Sequence, residues 1–313
     1  MERIKVLITS AGRRVSLVKN FQKHSKVFSC DMNPTLSSAC QVSDGYFKVP
    51  RVTDKNYLEV LFNICKQNDI KIIIPTIDTE LEILAKAKQK FLKEGIFIAI
   101  SSEEICKTFY LKTTTEQFFR RFGFNTPKIV TNLKTAKYPL FAKLDNSSLS
   151  VGAKKVNSFN EAKELLELNK NYIFQEFIDG VEYTCDVFLD KNGEVISIVP
   201  RERIEVRAGE VNKARTYKDN KILEEIKKLV PYLKGGYGTL TIQLFKTKQG
   251  IYFIEINPRF GGGYPLSYLA GADFAKYLID DYLGKKLKYD ESWQDNLIML
   301  RYDAEVLVDG NSI

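Results

Sequence analysis

Three polar side chains have the types and spacing of a site for a small, hard cation. Glu255 and Asn257 lie two residues apart in an apolar segment that predicts a strand, so both project from one face. Gln243, in the preceding apolar segment, could add a third oxygen from a neighbouring strand. Because Mg²⁺ takes few protein oxygens and completes its octahedron with phosphates and water, this set favours nucleotide triphosphate chemistry. A surface ion pair between Glu255 and Arg259 is the alternative, but it explains neither Gln243 nor the glycines at 261–263.

A second segment has the composition of a phosphate-binding loop. Lys143 ends an apolar strand, and the loop that follows contains Ser148, Ser150 and Gly152. A fixed cation beside hydroxyl groups and backbone amides could wrap phosphate oxygens. The segment is not a Walker A loop, because there the lysine follows the glycines. The alternative is an exposed strand end with a flexible serine turn.

Other residue types exclude several kinds of chemistry. His24 is the only histidine and no Cys-x-x-Cys pair occurs, which excludes histidine-dependent catalytic triads and cysteine-based zinc or redox sites. Gly12 is the single glycine of the first turn, so the Gly-x-Gly-x-x-Gly dinucleotide fingerprint fails. The net charge of +8 would attract small anions, and no run of five like charges indicates nucleic acid binding.

The elements that must position these residues form an α/β region followed by an α+β region. The chain has 313 residues, about twice what one hydrophobic core serves, so two or three packed units are expected. In the first hundred residues, apolar strands alternate with amphipathic helices, which predicts a parallel sheet with helices on both faces. Capping boxes that begin at Ser101 and Ser158 predict two further helix starts. Alternating segments between 172 and 256 predict antiparallel sheet.

The order of these motifs resembles the ATP-grasp superfamily, in particular the ATP-grasp units of the carbamoyl phosphate synthetase large subunit and their stand-alone relatives. The resemblance covers nearly the whole chain. It implies a Rossmann-like pre-ATP-grasp domain over residues 1–103 and an ATP-grasp domain over 104–313, with an antiparallel-sheet core and a small lid subdomain at about 127–177. Only one such unit is present, so complete carbamoyl phosphate synthesis, which uses two, is not expected.

The resemblance also implies how ATP is bound. Lys112 and Lys143 match the two phosphate-contacting lysines, although Leu111 stands where an aspartate usually precedes the first. Ser148, Ser150 and Gly152 match the loop that folds over the triphosphate and would contact it. Ser147 stands in this loop where a glycine is common. The backbone of a hinge at Glu176, Phe177 and Ile178 would bind adenine. The carboxylate of Glu182 would bind the ribose hydroxyls.

The metal and catalytic residues follow from the same resemblance. Mg²⁺ or Mn²⁺ would be held by Gln243, Glu255 and Asn257, and Arg259 would clamp the γ-phosphate and an acyl phosphate. Lys213 and Arg215 would line the path of the anions, although a solvated edge strand followed by a loop explains them equally well. Asp186 is a weaker candidate for binding the amine, and one wall of the acceptor site would come from Gly12, Arg13 and residues 78–80.

The resemblance implies an ATP- and Mg²⁺-dependent ligase that joins a carboxylate to an amine, or to a similar nucleophile, and releases ADP and phosphate. Two alternatives stay open. One is a regulatory module that binds ATP without turnover. The other is an NAD-dependent oxidoreductase, which is opposed by the presence of a single glycine, Gly12, in the first turn. The expected partners are ATP and small carboxylates and amines, without nucleic acid or membrane, and a homodimer is possible. The absence of a signal-like or long apolar segment predicts a cytoplasmic location.

Overall fold

The computed structural model describes residues 3–146, 151–207 and 209–312, and its first part is an α/β sandwich. The strands are β1 (Lys5–Ile8), β2 (Lys26–Asp31), β3 (Gly45–Lys48), β4 (Ile72–Ile74) and β5 (Phe97–Ile98). All neighbours pair in parallel, in the order β3-β2-β1-β4-β5. Between them run helices α1 (Val15–Gln22), α2 (Ser38–Val42), α3 (Tyr57–Asn68) and α4 (Asp78–Lys93). The central strands are buried because helices cover both faces, which confirms the predicted parallel sheet.

Two helices, α5 (Glu103–Thr108) and α6 (Lys112–Arg121), lead from this sheet to the rest of the chain. The predicted cap of α5 was wrong by one residue: the side chain of Ser102, not Ser101, accepts the N–H of Ile105. Ser101 is buried instead, and its hydroxyl accepts the N–H of Tyr237, because the chain crosses to the second sheet there. The predicted domain boundary after residue 103 falls in the first turn of α5 and stays a prediction.

A small three-stranded sheet follows, with β6 (Leu140–Leu144) between β7 (Lys154–Val156) and β8 (Tyr172–Glu176). Helix α7 (Phe159–Leu168) packs Ala162 and Leu165 against it, and the predicted cap is correct: Ser158 accepts the N–H of Glu161. The resemblance implied a lid at about 127–177, a range that contains this unit; its role as a lid stays a prediction. Lys143 lies near the end of the central strand.

The largest sheet is antiparallel and has six strands. They are β9 (Val181–Leu189), β10 (Val195–Arg207), β11 (Glu210–Thr216), β12 (Gly238–Thr247), β13 (Gly250–Asn257) and β14 (Ile298–Leu300), in the order β13-β12-β9-β10-β11-β14. Helices α8 (Asn220–Leu229), α9 (Pro265–Leu269) and α10 (Phe274–Tyr282) complete the fold. Strand β10 continues through Pro200 to Arg207 and forms a hairpin with β11.

Candidate active site

A cleft of about 510 Å³ lies between the three-stranded sheet and the six-stranded sheet, and the N-terminal domain contributes to its wall. Ten residues expected to bind ATP, the metal or the transferred phosphate line it, although they are spread over residues 112–259: Lys112, Lys143, Glu176, Phe177, Ile178, Glu182, Gln243, Glu255, Asn257 and Arg259. Ser147, Ser148 and Ser150 lie outside the described residues. Gly152 is not part of the cleft wall and has φ +71°, a backbone conformation that favours glycine.

The three residues considered for a metal meet on adjacent strands. Gln243 on β12 is the cross-strand partner of Glu255 on β13, and Asn257 Nδ2 donates to Glu255 Oε1 at 2.9 Å. The register shifts between Gln243 and Leu244, and such an irregularity re-aims side chains at the edge of a site. One carboxylate and two amide oxygens suit Mg²⁺ that is shared with phosphate oxygens better than a closed protein cage.

Two lysines face this carboxylate from the other side of the cleft. Lys112 begins α6, and its Nζ lies 4.0 Å from Glu255 Oε2. Lys143 on β6 is only 7% exposed. Burial lowers the pKa of Lys143 to about 8, the charge of Glu255 raises it, and the charge of Lys112 lowers it further. The site therefore holds two ammonium groups at a position where an incoming polyanion would stabilise both.

Asp145 provides the start of α6 with the cap that Leu111 does not. Leu111 makes no side-chain cap bond, but Asp145 Oδ1 accepts the N–H of Thr113 at 2.8 Å and its Oδ2 accepts the Thr113 hydroxyl at 2.9 Å. The carbonyl of Asp145 also accepts the N–H of Lys112 at 3.1 Å. A carboxylate at a helix N-terminus is stabilising, and here it joins the segment that carries Lys143 to the helix that carries Lys112. Sequence reasoning missed Asp145, although it stands two residues after Lys143.

Replacing Asp145 with asparagine is expected to loosen the start of α6. We expect the free energy of unfolding to fall by about 1 kcal/mol, because a charge-assisted cap becomes a neutral one. The KM for ATP should rise several-fold as Lys112 loses its fixed position. Thermal unfolding and steady-state kinetics measure both effects, with the exposed Asp303→Asn as the matched control. An unchanged KM for ATP would show that the cap does not position Lys112.

The hinge residues surround the other end of the cleft. Glu176 ends β8, and its backbone N–H and side chain bond to the backbone of Lys128. Glu182 forms an ion pair with Arg203, with 3.0 Å between Oε1 and Nε. Burial raises the pKa of Glu182, and the charge of Glu255 raises it further while Arg203 opposes the shift. Arg203 also lines the cleft, but sequence reasoning did not identify it. Charged residues follow one another there, at Arg201, Glu202 and Arg203, and their spacing does not show which side chain faces the cleft.

An arginine-rich end closes the cleft next to glycines 261–263. Arg259 is held by a two-point bond to Asp78, with 2.8 Å from Nε to Oδ1 and from Nη2 to Oδ2. Arg201 lines the same end and is likewise bound at two points by the buried Asp186. Burial lowers the pKa of Arg14 to about 10, with a further contribution from the charge of Arg259. Arg14 and Arg201 are additional cleft residues that the sequence did not single out.

Three positions expected at the site do not line the cleft. Lys213 and Arg215 are not part of the cleft wall, because they pair with Glu205 at 2.6 Å and with Glu202 at 2.5 Å across the hairpin of β10 and β11. Arg13 is mostly exposed and binds Glu210 at the surface, while its neighbour Arg14 reaches the cleft.

The carboxylates expected at the acceptor wall have two different roles. Asp78 and Thr79 do line the cleft. Glu80 is fully buried and instead accepts the N–H groups of Thr76 and Ile77, which fixes the start of α4 and with it the position of Asp78. Asp186 is fully buried and does not line the cleft, and both of its oxygens are bound to Arg201, so it is not placed to receive an amine.

Comparison with known families agrees with this geometry. Residues 111–263 match the ATP-grasp domain, and residues 6–99 match the PylC-like N-terminal domain. The chain carries an ATP-grasp domain. The matched part begins at the residue before Lys112 and ends at Gly263, so it contains both lysines, the hinge and the cluster of Gln243, Glu255 and Asn257. ATP-grasp ligases in general use ATP with Mg²⁺.

Two curated relatives align with parts of this chain. A tyramine–L-glutamate ligase of Methanocaldococcus jannaschii is 35% identical over 109 residues, which are 34% of this chain and 34% of that protein. A D-alanine–D-alanine ligase of Aquifex aeolicus is 27% identical over 166 residues, 47% of this chain and 57% of that protein. The chain thus matches between a third and somewhat more than half of the length of these relatives.

The ATP-grasp fold extends over almost the whole chain. The N5-carboxyaminoimidazole synthetase of Staphylococcus aureus, solved with ADP, superposes with a TM-score of 0.74 at 16% identity and covers 92% of this chain and 80% of its own. Together with the two domain matches, this confirms the predicted fold class. None of the helices in the described ranges is long and apolar enough to cross a membrane.

Proposed function

We propose that this chain is an ATP- and Mg²⁺-dependent ligase that joins a carboxylate to an amine through an acyl phosphate. The observation that carries the proposal is the single cleft in which two lysines, one carboxylate with two amides, and an arginine-rich end face one another. Fixed positive charges aimed at a transferring phosphoryl group lower its barrier by electrostatic stabilisation. The names of the two ligase relatives support the same class of reaction.

The cleft residues expected from the sequence divide among the parts of the nucleotide and its metal. The backbone of Glu176, Phe177 and Ile178 would bind adenine, and Glu182 the ribose hydroxyls. Lys112 and Lys143 would bind the triphosphate. Mg²⁺, held by the oxygens of Gln243, Glu255 and Asn257, supplies further neutralisation of phosphate charge when it is bound.

The chemistry then takes place in two displacements. A carboxylate oxygen of the donor attacks the γ-phosphorus, the bond to the bridging oxygen breaks, and ADP leaves with that electron pair. The amine nitrogen next attacks the acyl carbon, loses a proton, and displaces phosphate. Arg259 would hold the transferring phosphoryl group, and its link to Asp78 fixes the plane of its guanidinium. A homodimer, a cytoplasmic location and an anion-path role for Lys213 and Arg215 stay predictions from the sequence.

Trapping with hydroxylamine tests this function without knowledge of the natural amine. The chain would be incubated with Mg-ATP, hydroxylamine, and a panel of the proteinogenic amino acids, acetate, succinate and citrate. A member of the panel that serves as donor should give a hydroxamate and one ADP for each hydroxamate formed. Binding of ATP without release of ADP in any mixture would indicate a regulatory module instead.

The lowered pKa of Lys143 makes nucleotide binding dependent on pH. A bound triphosphate stabilises the ammonium form, so its pKa rises on binding and a proton is taken up wherever the free protein has lost it. Affinity should be constant below pH 8 and fall above it, by up to about tenfold for each pH unit. Calorimetry at pH 7, 8 and 9 in two buffers of different ionisation enthalpy measures the affinity and the proton uptake. Equal affinity from pH 7 to 9 would contradict the assignment, and Lys143→Met should remove the dependence.

A further inference from the structure

Arg14 is a cleft residue to which the reaction as derived so far gives no part. It lies directly before α1, at the end of the cleft where glycines 261–263 pass. Its Nη2 donates to the carbonyl of Thr76 at 2.7 Å and its Nη1 to the carbonyl of Phe260 at 3.3 Å. The bond to Phe260 joins the N-terminal domain to the turn after β13, and both bonds hold the guanidinium group at the wall of the cleft.

The charge of Arg14 has no bound counterion within the described ranges, where both of its contacts are backbone carbonyls. The two carboxylates of this cleft end are engaged by other residues. Asp78 uses both oxygens for Arg259, and Glu210 accepts from Arg13 at 2.5 Å and Arg301 at 3.4 Å. A half-buried guanidinium without an ion pair carries a partial desolvation cost that an anionic ligand would offset.

Contacts along β13 place Arg14 beyond the phosphate-binding residues. Glu255 faces Lys112 and bonds Asn257, the N–H of Arg259 bonds the carbonyl of Asn257 at 2.8 Å, and the next residue, Phe260, bonds Arg14. In phosphoryl transfer the attacking and leaving oxygens lie roughly in line. With adenine at the hinge, the attacking carboxylate must therefore approach from the end of the cleft that Arg14 and Arg259 form.

We propose that Arg14 binds the carboxylate of the donor substrate and presents it to the γ-phosphate beside Arg259. The inference rests on the proposed ligase function and identifies one of its substrate-binding residues. A planar guanidinium matches the two oxygens of a carboxylate, and the same chemistry would fit phosphate oxygens. The affinities for donor and for ATP must therefore be measured separately.

The test compares Arg14→Met and Arg14→Lys with the wild type in the hydroxylamine assay, using the donor that gives most hydroxamate. The Met variant should raise the KM for the donor about 10- to 100-fold, because a charge-assisted hydrogen bond is lost, and leave the KM for ATP within about twofold. The Lys variant keeps the charge without the planar fork and should lie between. Lys19→Met, which removes an exposed charge from α1, is the matched control. Thermal unfolding verifies that each variant is folded.

Two results would overturn the inference while leaving the ligase function intact. One is an unchanged KM for the donor in folded Arg14→Met, and the other is a rise confined to the KM for ATP, which would assign Arg14 to phosphate. A folded wild type that forms no hydroxamate with any member of the panel would instead contradict the proposed function, and this inference with it.

Discussion

Replacing Lys143 with methionine is expected to lower kcat/KM for ATP by about 10²- to 10³-fold, while the protein stays folded. A single fixed donor to a transferring phosphoryl or acyl oxygen is typically worth that much, because it needs no reorganisation when charge develops. Methionine has nearly the same length and no charge, so the change removes the ammonium group and keeps the volume. Steady-state release of ADP with the donor found by hydroxylamine trapping measures the loss.

The same substitution should make the fold more stable at neutral pH. Burial lowers the pKa of Lys143 from 10.5 to about 8, so the folded protein binds this proton less tightly than the unfolded chain does. That difference corresponds to roughly 3 kcal/mol of lost stability below pH 8, and the loss disappears as the pH rises from 8 to 10.5. Lys143→Met should therefore unfold at a higher temperature than the wild type at pH 7 and show no such gain near pH 10.5.

Lys154→Met is the control for both effects. Lys154 lies on β7 of the same small sheet, is exposed, and does not line the cleft. We expect wild-type kinetics and little change in stability from it. Wild-type turnover in folded Lys143→Met would show that this ammonium group does not bind the triphosphate.

Replacing Glu255 with glutamine is the second change for which we expect a loss of about 10²- to 10³-fold, in this case of kcat. The amide keeps the size and one oxygen but removes the only carboxylate of the trio with Gln243 and Asn257. The Mg²⁺ concentration that gives half of the maximal rate should rise as well. Titration of the rate with Mg²⁺ at saturating ATP separates these two effects.

Glu224→Gln on the exposed face of α8 removes an equal charge away from the cleft and should leave the rate and its Mg²⁺ dependence unchanged. If Glu255→Gln kept both the wild-type rate and the wild-type Mg²⁺ dependence, the metal site would not lie between β12 and β13. A changed rate with an unchanged Mg²⁺ dependence would leave Glu255 a catalytic role through its contact with Lys112.

Local patterns in the sequence determined much of the fold. The buried strands of the parallel sheet are short apolar runs, and α7 begins directly after Ser158 because that serine and a glutamate three residues later satisfy the helix start. The pairing of Glu255 with Asn257 followed from the two-residue period of a strand. Lys112 and the hinge came from the order of motifs, since they carry no local signal of contact.

Tertiary structure decided which charged side chains face the cleft and which are paired elsewhere. Lys213 and Arg215 belong to a basic stretch, but the register of β10 and β11 places Glu205 and Glu202 opposite them. Asp145 caps a helix by binding Thr113, 32 residues earlier in the chain, and Asp78 meets Arg259 across 181 residues. Residue types and spacing thus determined the chemistry available to this protein. The partner of each charge depends on strand register and on packing between domains, which residues distant in the chain establish together.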